Sequence, residues 1–349
     1  MQSPAVPAAT PLALSVLDQA PISEGASGAQ ALRNSLDLAR LADGLGYRRY
    51  WVAEHHATPM LACAAPEVLI GPIAAATSRI RVGSGGVMLP HYSPLKVAES
   101  FSLLSGLYPG RIDLGLGRAP GTDQRTAVAL QRDRRQLSPD DFPSQLAELL
   151  AYLADALPAD HPFASLAAFL PGLPERPEPW LLGSSPQSGI WAAEVGLPYC
   201  FADFINPAGA PFAARYRDEF QPSPWSAEPR VVVAASAICA GTDAEAERVA
   251  ASYRMVGTLF FRGKFIPVPP IEKALRFFAE EGGLPAATGR RLIVGSPATV
   301  RAGLEALAAE YGAGEVMIVT ITHQHADRRR SYELIAEAFG LAGAPAGTA

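Results

Sequence analysis

Short apolar runs alternate with segments of helical period along almost the whole chain, and this rhythm constrains the fold more than any other feature. Residues 12–17, LALSVL, read as a first strand. A helix is expected over 29–45, with Leu32, Leu36, Ala39 and Leu45 on one stripe and Gly46 closing it. YRRYWVAE predicts a second strand and 66–77 a short helix. RIRVGSGGVML predicts a third strand, followed by a helix that opens at Ser93 and Pro94. RIDLGLG at 111–117 is the fourth strand and PWLLGSS the fifth, the latter leading into a helix from Pro186 to Val195 with Gly196 after it. PYCFA, RVVVAASAIC and EVMIVTI near 315–321 supply strands six to eight, with further helices expected over 298–310 and 329–339.

Two stretches break the rhythm. One is 119–178, an excursion after strand four with a basic segment near 125–135 and an apolar helix near 143–157; the other is 256–291, an insertion after strand seven. Eight strand–helix units predict an α/β fold with a parallel sheet, and eight is the number that closes a (β/α)8 TIM barrel. An open doubly wound sheet is the alternative, but the first βα turn, LDQAPISEG, lacks the Gly-x-Gly-x-x-Gly fingerprint. All 349 residues read as a single barrel domain, with 1–11 and 342–349 as flexible ends.

A net charge of −5 argues against a nucleic-acid or anionic-membrane surface. The basic run Arg328-Arg329-Arg330 is local and reads as a solvated face. Cys63, Cys200 and Cys239 are widely separated, with neither a disulfide framework nor zinc-ligand spacing. The start of the chain lacks the basic region of a secretory signal, and no uncharged apolar run approaches the roughly 20 residues of a membrane helix. A soluble cytoplasmic protein is expected.

In a barrel the chemistry gathers at the C-terminal ends of the strands. After strand five, Gly183-Ser184-Ser185-Pro186-Gln187-Ser188 reads equally as a well-capped helix or as an anion site, where helix-start amides and serine hydroxyls would meet a phosphate. Gly295-Ser296 has a similar start and is a rival. Gly85 and Gly86 on strand three, and Gly115 and Gly117 on strand four, thin the backbone and suggest a slot for a planar ring; Arg118 at that rim suits a phosphate. Neighbouring residues on a strand face opposite ways, so His55 and His56 are not a chelating pair: one faces the mouth and the other packs outward. His323 and His325 form the counter-candidate, a metal site of a barrel hydrolase with Asp18, Glu54 and His55 as conceivable partners. Leu61, Phe201 and Phe204 read either as core or as an apolar pocket.

YWVAEHH, VGSGGVMLPHYSP, LYPGRIDLGLGRAPGTD and PWLLGSSPQSGIWAAEVGLP, in that order, resemble the bacterial-luciferase-like flavin monooxygenase family, GRAPGTD pointing to a small unassigned subgroup of it. The resemblance implies a (β/α)8 barrel that uses reduced FMN and O2 on a small organic substrate. It implies a separate flavin reductase as partner, a homodimer, and no bound metal. His55 matches the family's catalytic histidine beside the flavin, and Gly85-Gly86 a dipeptide joined by a cis bond beneath the ring. Gly117 and Arg118 match positions beside the flavin and its phosphate; Gly183, Ser184, Ser185 and Ser188 match the phosphate-binding turn. The light-emitting catalytic subunit has a cysteine in place of Gly117 and a glutamate in place of Ser184, so light emission is not implied. A deazaflavin-dependent oxidoreductase and a non-catalytic flavin-binding protein are the remaining alternatives.

Overall fold

Each apolar run is short and flanked by turn residues, so its backbone groups can be satisfied only by pairing with a neighbouring strand. A computed structural model of the chain describes residues 11–118, 122–130, 141–283, 289–341 and 343. In it the runs form β1 (Ala13–Asp18), β2 (Arg49–Val52), β3 (Arg81–Met88), β4 (Ile112–Gly117), β5 (Glu178–Gly183), β6 (Tyr199–Ala202) and β7 (Val231–Cys239), then β8 (Leu292–Gly295) and β9 (Glu315–Val319). All pairings are parallel. β1 to β7 follow one another around the ring, and β9 closes it by pairing with both β7 and β1. The result is the expected eight-stranded TIM barrel.

The intervening helices are α1 (Gly28–Leu45), α2 (Pro66–Ala75), α3 (Pro94–Leu107), α4 (Gln124–Leu130), α5 (Phe142–Ala154), α6 (Pro186–Glu194) and α7 (Ala210–Glu219). They are followed by α8 (Asp243–Phe261), α9 (Ile271–Glu280), α10 (Pro297–Tyr311) and α11 (His325–Phe339). Gly46 closes α1 in the left-handed region at φ 89°, as its place after the apolar stripe predicts. The buried face of α1 is rotated from the expected stripe: Ala31, Ser35, Leu38, Ala39 and Ala42 turn inward, while Leu32, Leu36 and Leu45 are half-buried at its flanks. Small residues let the helix lie close to the sheet.

The region after β7 departs from the sequence reading. Residues 256–261, assigned to an insertion, are the last turns of α8, which Thr242 caps by accepting from the Glu245 amide at 3.2 Å. A further strand, β8, is present that the apolar rhythm does not predict. It lies outside the closed ring, on the C-terminal end of β7, where Ser236–Cys239 pair with Leu292–Gly295 after Val232–Ser236 have paired with β9. Of the excursion after β4, α5 confirms the apolar helix; residues 119–121 and 131–140 lie outside the described residues, as do most of the two expected flexible ends.

Two apolar layers result. Val16, Tyr50 and Val52 face outward beneath the helices, whereas Leu17, Trp51, Ala53, Trp180, Val232 and Met317 fill the barrel. At the N-terminal end of the barrel, inward-pointing Arg49 is buried among carboxylates from three other strands. It donates to Asp113 at 2.8 Å, Glu178 at 3.2 Å and Glu315 at 3.1 Å, while Trp51 Nε1 also donates to Asp113 at 2.8 Å. Arg328, expected on a solvated face, is likewise buried: it donates to Asp18 Oδ1 at 2.7 Å, and Asp18 also accepts from Tyr50 and from the Ala20 amide. The reason is geometric, since the first turn of α11 passes over the end of β1. Arg329 pairs with Asp37 on α1, and Arg330 with Glu333.

Removing one partner of a buried ion pair leaves the others uncompensated. Arg49→Met should lower the unfolding free energy by about 3–5 kcal/mol in urea denaturation; a loss below about 1 kcal/mol would show that the carboxylates find other partners.

Candidate active site at the barrel mouth

Period-two alternation carries Arg49, Trp51 and Ala53 inward along β2, and His55 is next in phase. The structure places His55 on the wall of a cavity of about 720 Å³ at the C-terminal end of the barrel. Its amide donates to Cys63 O at 2.9 Å, and its Nδ1 is buried without a hydrogen-bond partner among the described residues. Burial, and then the neighbouring His56, push its pKa from 6.5 down to about 4, so the ring is neutral at pH 7. A neutral imidazole with an unpaired nitrogen can accept a proton or a hydrogen bond.

His56 and Glu54 lie on the other phase. Buried Glu54 accepts from the Met88 amide at 2.9 Å and from Tyr92 O–H at 3.0 Å, and its Oε1 is 2.6 Å from His56 Nε2. This carboxylate ties the end of β2 to the end of β3 and fixes the loop that carries His55. Sequence reading did not assign it that role. The ligand atoms of Glu54, His56 and His91 lie within 4.8 Å of one another, the one such set among the described residues. Glu54 has its oxygens engaged by three donors, so the set is accounted for as a hydrogen-bonded cross-link. The counter-candidate pair does not converge: His323 Nε2 is 3.3 Å from Glu24 O, while His325 Nε2 is 2.7 Å from Asp37 on α1. Asp18, its conceivable partner, is taken up by Arg328.

The Gly85–Gly86 peptide bond is cis. It sits where the β3–β4 register shifts, between Ser84 and Val87. A Cβ on Gly85 would lie 2.5 Å from Leu17 Cδ1, one on Gly86 2.8 Å from Gly115 O, and one on Gly117 3.3 Å from Met88 Sδ. Close approach of neighbouring groups therefore accounts for these glycines, whatever else their bare backbone adjoins. Gly183 has a similar reason, because a Cβ there would collide with Ser188 Oγ.

At the start of α6, Ser185 has the extended conformation of a cap, yet its side chain makes no capping bond, and Pro186 occupies the first turn. The first-turn amides are thus not taken by that hydroxyl. Ser188 differs from expectation: it is buried, its Oγ donating to Ser185 O at 2.8 Å and lying 2.9 Å from Tyr199 O–H, so it braces the turn from inside. Asn206, unread in the sequence, donates to Ser184 O at 2.9 Å. Arg118 is exposed and lies 5.4 Å from the ring centre of Trp191, one helical turn into α6 beyond Ser188. Arg118 and the α6 start are therefore neighbours. At the rival start, α10, the Asp243 carboxylate already accepts from the Ser296 amide at 2.6 Å and from Thr299 Oγ1 at 2.8 Å. The chain's own anion fills that place.

Of the residues predicted from sequence, His55 lines the cavity and so does His56, which was expected to pack outward; the two glycine strands, Arg118 and the α6 start lie outside its lining. Leu61 and Phe204 line it too, whereas Phe201 is core, with its ring 5.5 Å from that of Tyr311. The far wall is Tyr253, Val256, Phe260 and Phe261 of α8, joined by Phe265.

Comparison with known proteins bears on the family and the fold. A family profile described as luciferase-like monooxygenase matches residues 12–315. A luciferase-like monooxygenase of Escherichia coli is 43% identical over 93% of this chain and 96% of its own. The N-acetyl-S-alkylcysteine monooxygenase of Bacillus subtilis is 36% identical over 93% and 97%. Among solved structures, apo-MsnO8 is 44% identical, with a TM-score of 0.85 over 95% of this chain and 98% of that one. More distant structures share the fold, among them an oxygenating constituent of 3,6-diketocamphane monooxygenase in complex with FMN (20% identical, 94% and 98% covered, TM-score 0.70). The chain belongs to the luciferase-like monooxygenase family and is an oxidoreductase.

Proposed function

We propose that this protein is a monooxygenase that uses reduced FMN and O2 on a small organic substrate whose body is apolar. The observation that carries the reading is His55: a neutral imidazole with a buried, unpartnered nitrogen, on the wall of a large and mostly apolar cavity. The residues present fit a flavin nucleotide. Arg118 and the first-turn amides of α6, which the Ser185 side chain leaves uncapped, would hold its phosphate, the site at α10 being filled by Asp243. Gly85, Gly86 and Gly117 would offer backbone to its ring. Reduced FMN, when bound, supplies the electrons with which O2 is activated. His55 accepts a proton or hydrogen bond from the reacting molecule, and the aromatic wall from α8 excludes water from it. We extend the proposal to delivery of reduced flavin by a separate reductase and to a homodimer. Among the described residues no helix is long and apolar enough to cross a membrane.

Only FMN, not riboflavin, carries the phosphate. Arg118→Ala should therefore weaken FMN by about 10-fold or more in a fluorescence titration and riboflavin by less than about threefold; equal losses contradict the pose, and tighter binding of a deazaflavin contradicts the choice of cofactor.

His55→Ala should lower turnover by about 10²- to 10⁴-fold with FMN affinity within about threefold of the parent. The folded ring protonates near pH 4 and the unfolded one near 6.5. Its contribution to stability is thus full above pH 6.5 and lost as the pH falls towards 4. An NMR titration of the His55 ring should place its midpoint near 4, and a midpoint near 6.5 would show an open, solvated side chain.

A further inference from the structure

The cavity wall built by α8 and the segment before β8 carries charge as well as apolar surface, and the balance is one-sided. Among the described residues three arginines line it, Arg254, Arg290 and Arg291, against one acid, Asp123. Asp123 is engaged by its own turn, accepting from Thr126 N at 2.9 Å and Thr126 Oγ1 at 3.0 Å. Arg291 is held by Glu310 at 2.6 and 3.1 Å. Arg254 is held by Glu247 at 2.7 and 3.0 Å, its Nε buried and without a partner. Arg290 differs from both. It is half-buried, its guanidinium lies 5.3 Å from the ring centre of Phe260 and 5.1 Å from that of Phe261, and among the described residues no acceptor holds it.

A guanidinium resting on two aromatic rings is fixed in place, and its N–H donors remain open to a bidentate acceptor. Withdrawing that cation from water without a counter-ion is costly, and an incoming anion recovers the cost. Phe260, Phe261 and Phe265 pack edge to face at 5.8 and 5.5 Å, and Met60 and Leu61 also line the cavity, so the same space offers a long apolar surface. We propose that the molecule oxidised here is an organic carboxylate with an apolar body, its carboxylate held by Arg290 and its body by these aromatic rings. The claim rests on the cavity being the substrate site, as in the function proposed above, and it makes Arg290 a specificity-determining residue.

Octanoate and octanamide share the apolar body and differ in charge. Titrated calorimetrically at pH 7.5 into the FMN-loaded protein, and separately into the flavin-free protein, octanoate should bind at least about tenfold more tightly than octanamide. Arg290→Gln should abolish that preference with octanamide affinity and melting temperature unchanged; Arg290→Lys should keep part of it. Equal affinities in the parent, a preference that survives in Arg290→Gln, or no octanoate binding up to about 10 mM would overturn the assignment. FMN affinity of Arg290→Gln, measured without either probe, should match the parent, and a loss of about tenfold would mean that the anion at Arg290 is the flavin phosphate. If FMN does not bind at all, the proposed function fails, while the flavin-free titration still decides the claim about Arg290.

Discussion

A guanidinium inside a closed barrel has no water to turn to, and Arg49 is held there by carboxylates from β4, β5 and β9. The cluster joins four of the eight ring strands at one level, and Trp51 Nε1 adds a donor to the same Asp113. Such an arrangement fixes strand phase, because a one-residue slip of β2 would put Arg49 against the apolar helices and expel its partners from the interior. Burial pushes the Glu178 carboxyl up, but Arg49, Arg230 and Arg81 outweigh it and bring it down to about 2. Glu178 therefore stays ionised throughout the physiological range, whereas burial pushes the Asp113 carboxyl up against the pull of Arg49 and Arg81.

Everything at the mouth inherits this phase. With Arg49 inward, Trp51, Ala53 and His55 follow, while Glu54 lies on the other side, where His56, itself at the edge of the cavity, reaches it. Glu54 uses that position to bind Met88 N and Tyr92 O–H, so the loop beyond β2 is fastened to the end of β3. The far side of the cavity depends on a second constraint, the change of partner along β7. Its first half belongs to the ring and its last residues pair with β8, which brings α8 and Arg290 over the opening. One long buried strand thus serves both the closure of the barrel and the construction of the cavity.

Much of this was legible in the sequence because it depends on period alone. The alternation of apolar runs gives the ring strands, and the alternation within YWVAEHH puts His55 in the inward phase; His56, expected to pack outward, reaches Glu54 but also lines the cavity. What stayed hidden depends on contacts between distant segments. The strand LIVG is apolar but only four residues long and half-buried, and it runs directly into the start of α10. α8 carries a usable start signal in Thr242 and Glu245, but its mixed face obscures the helical period. Arg328 looked solvated because it has two arginine neighbours; only the packing of α11 over β1 reveals Asp18 beneath it. Likewise, Ser188 and the rival start at Ser296 are separated by the partners each acquires, Tyr199 inside one and Asp243 on the other.

The central claim is that a flavin nucleotide sits with its ring beside His55 and its phosphate at the start of α6. Crystals grown with FMN test it most directly. The account predicts phosphate density against the first-turn amides of α6 and the Arg118 guanidinium, with the ring within contact of His55 and Gly85–Gly86. Phosphate density at Arg290 or at the start of α10, or a ring that leaves His55 untouched, would contradict it.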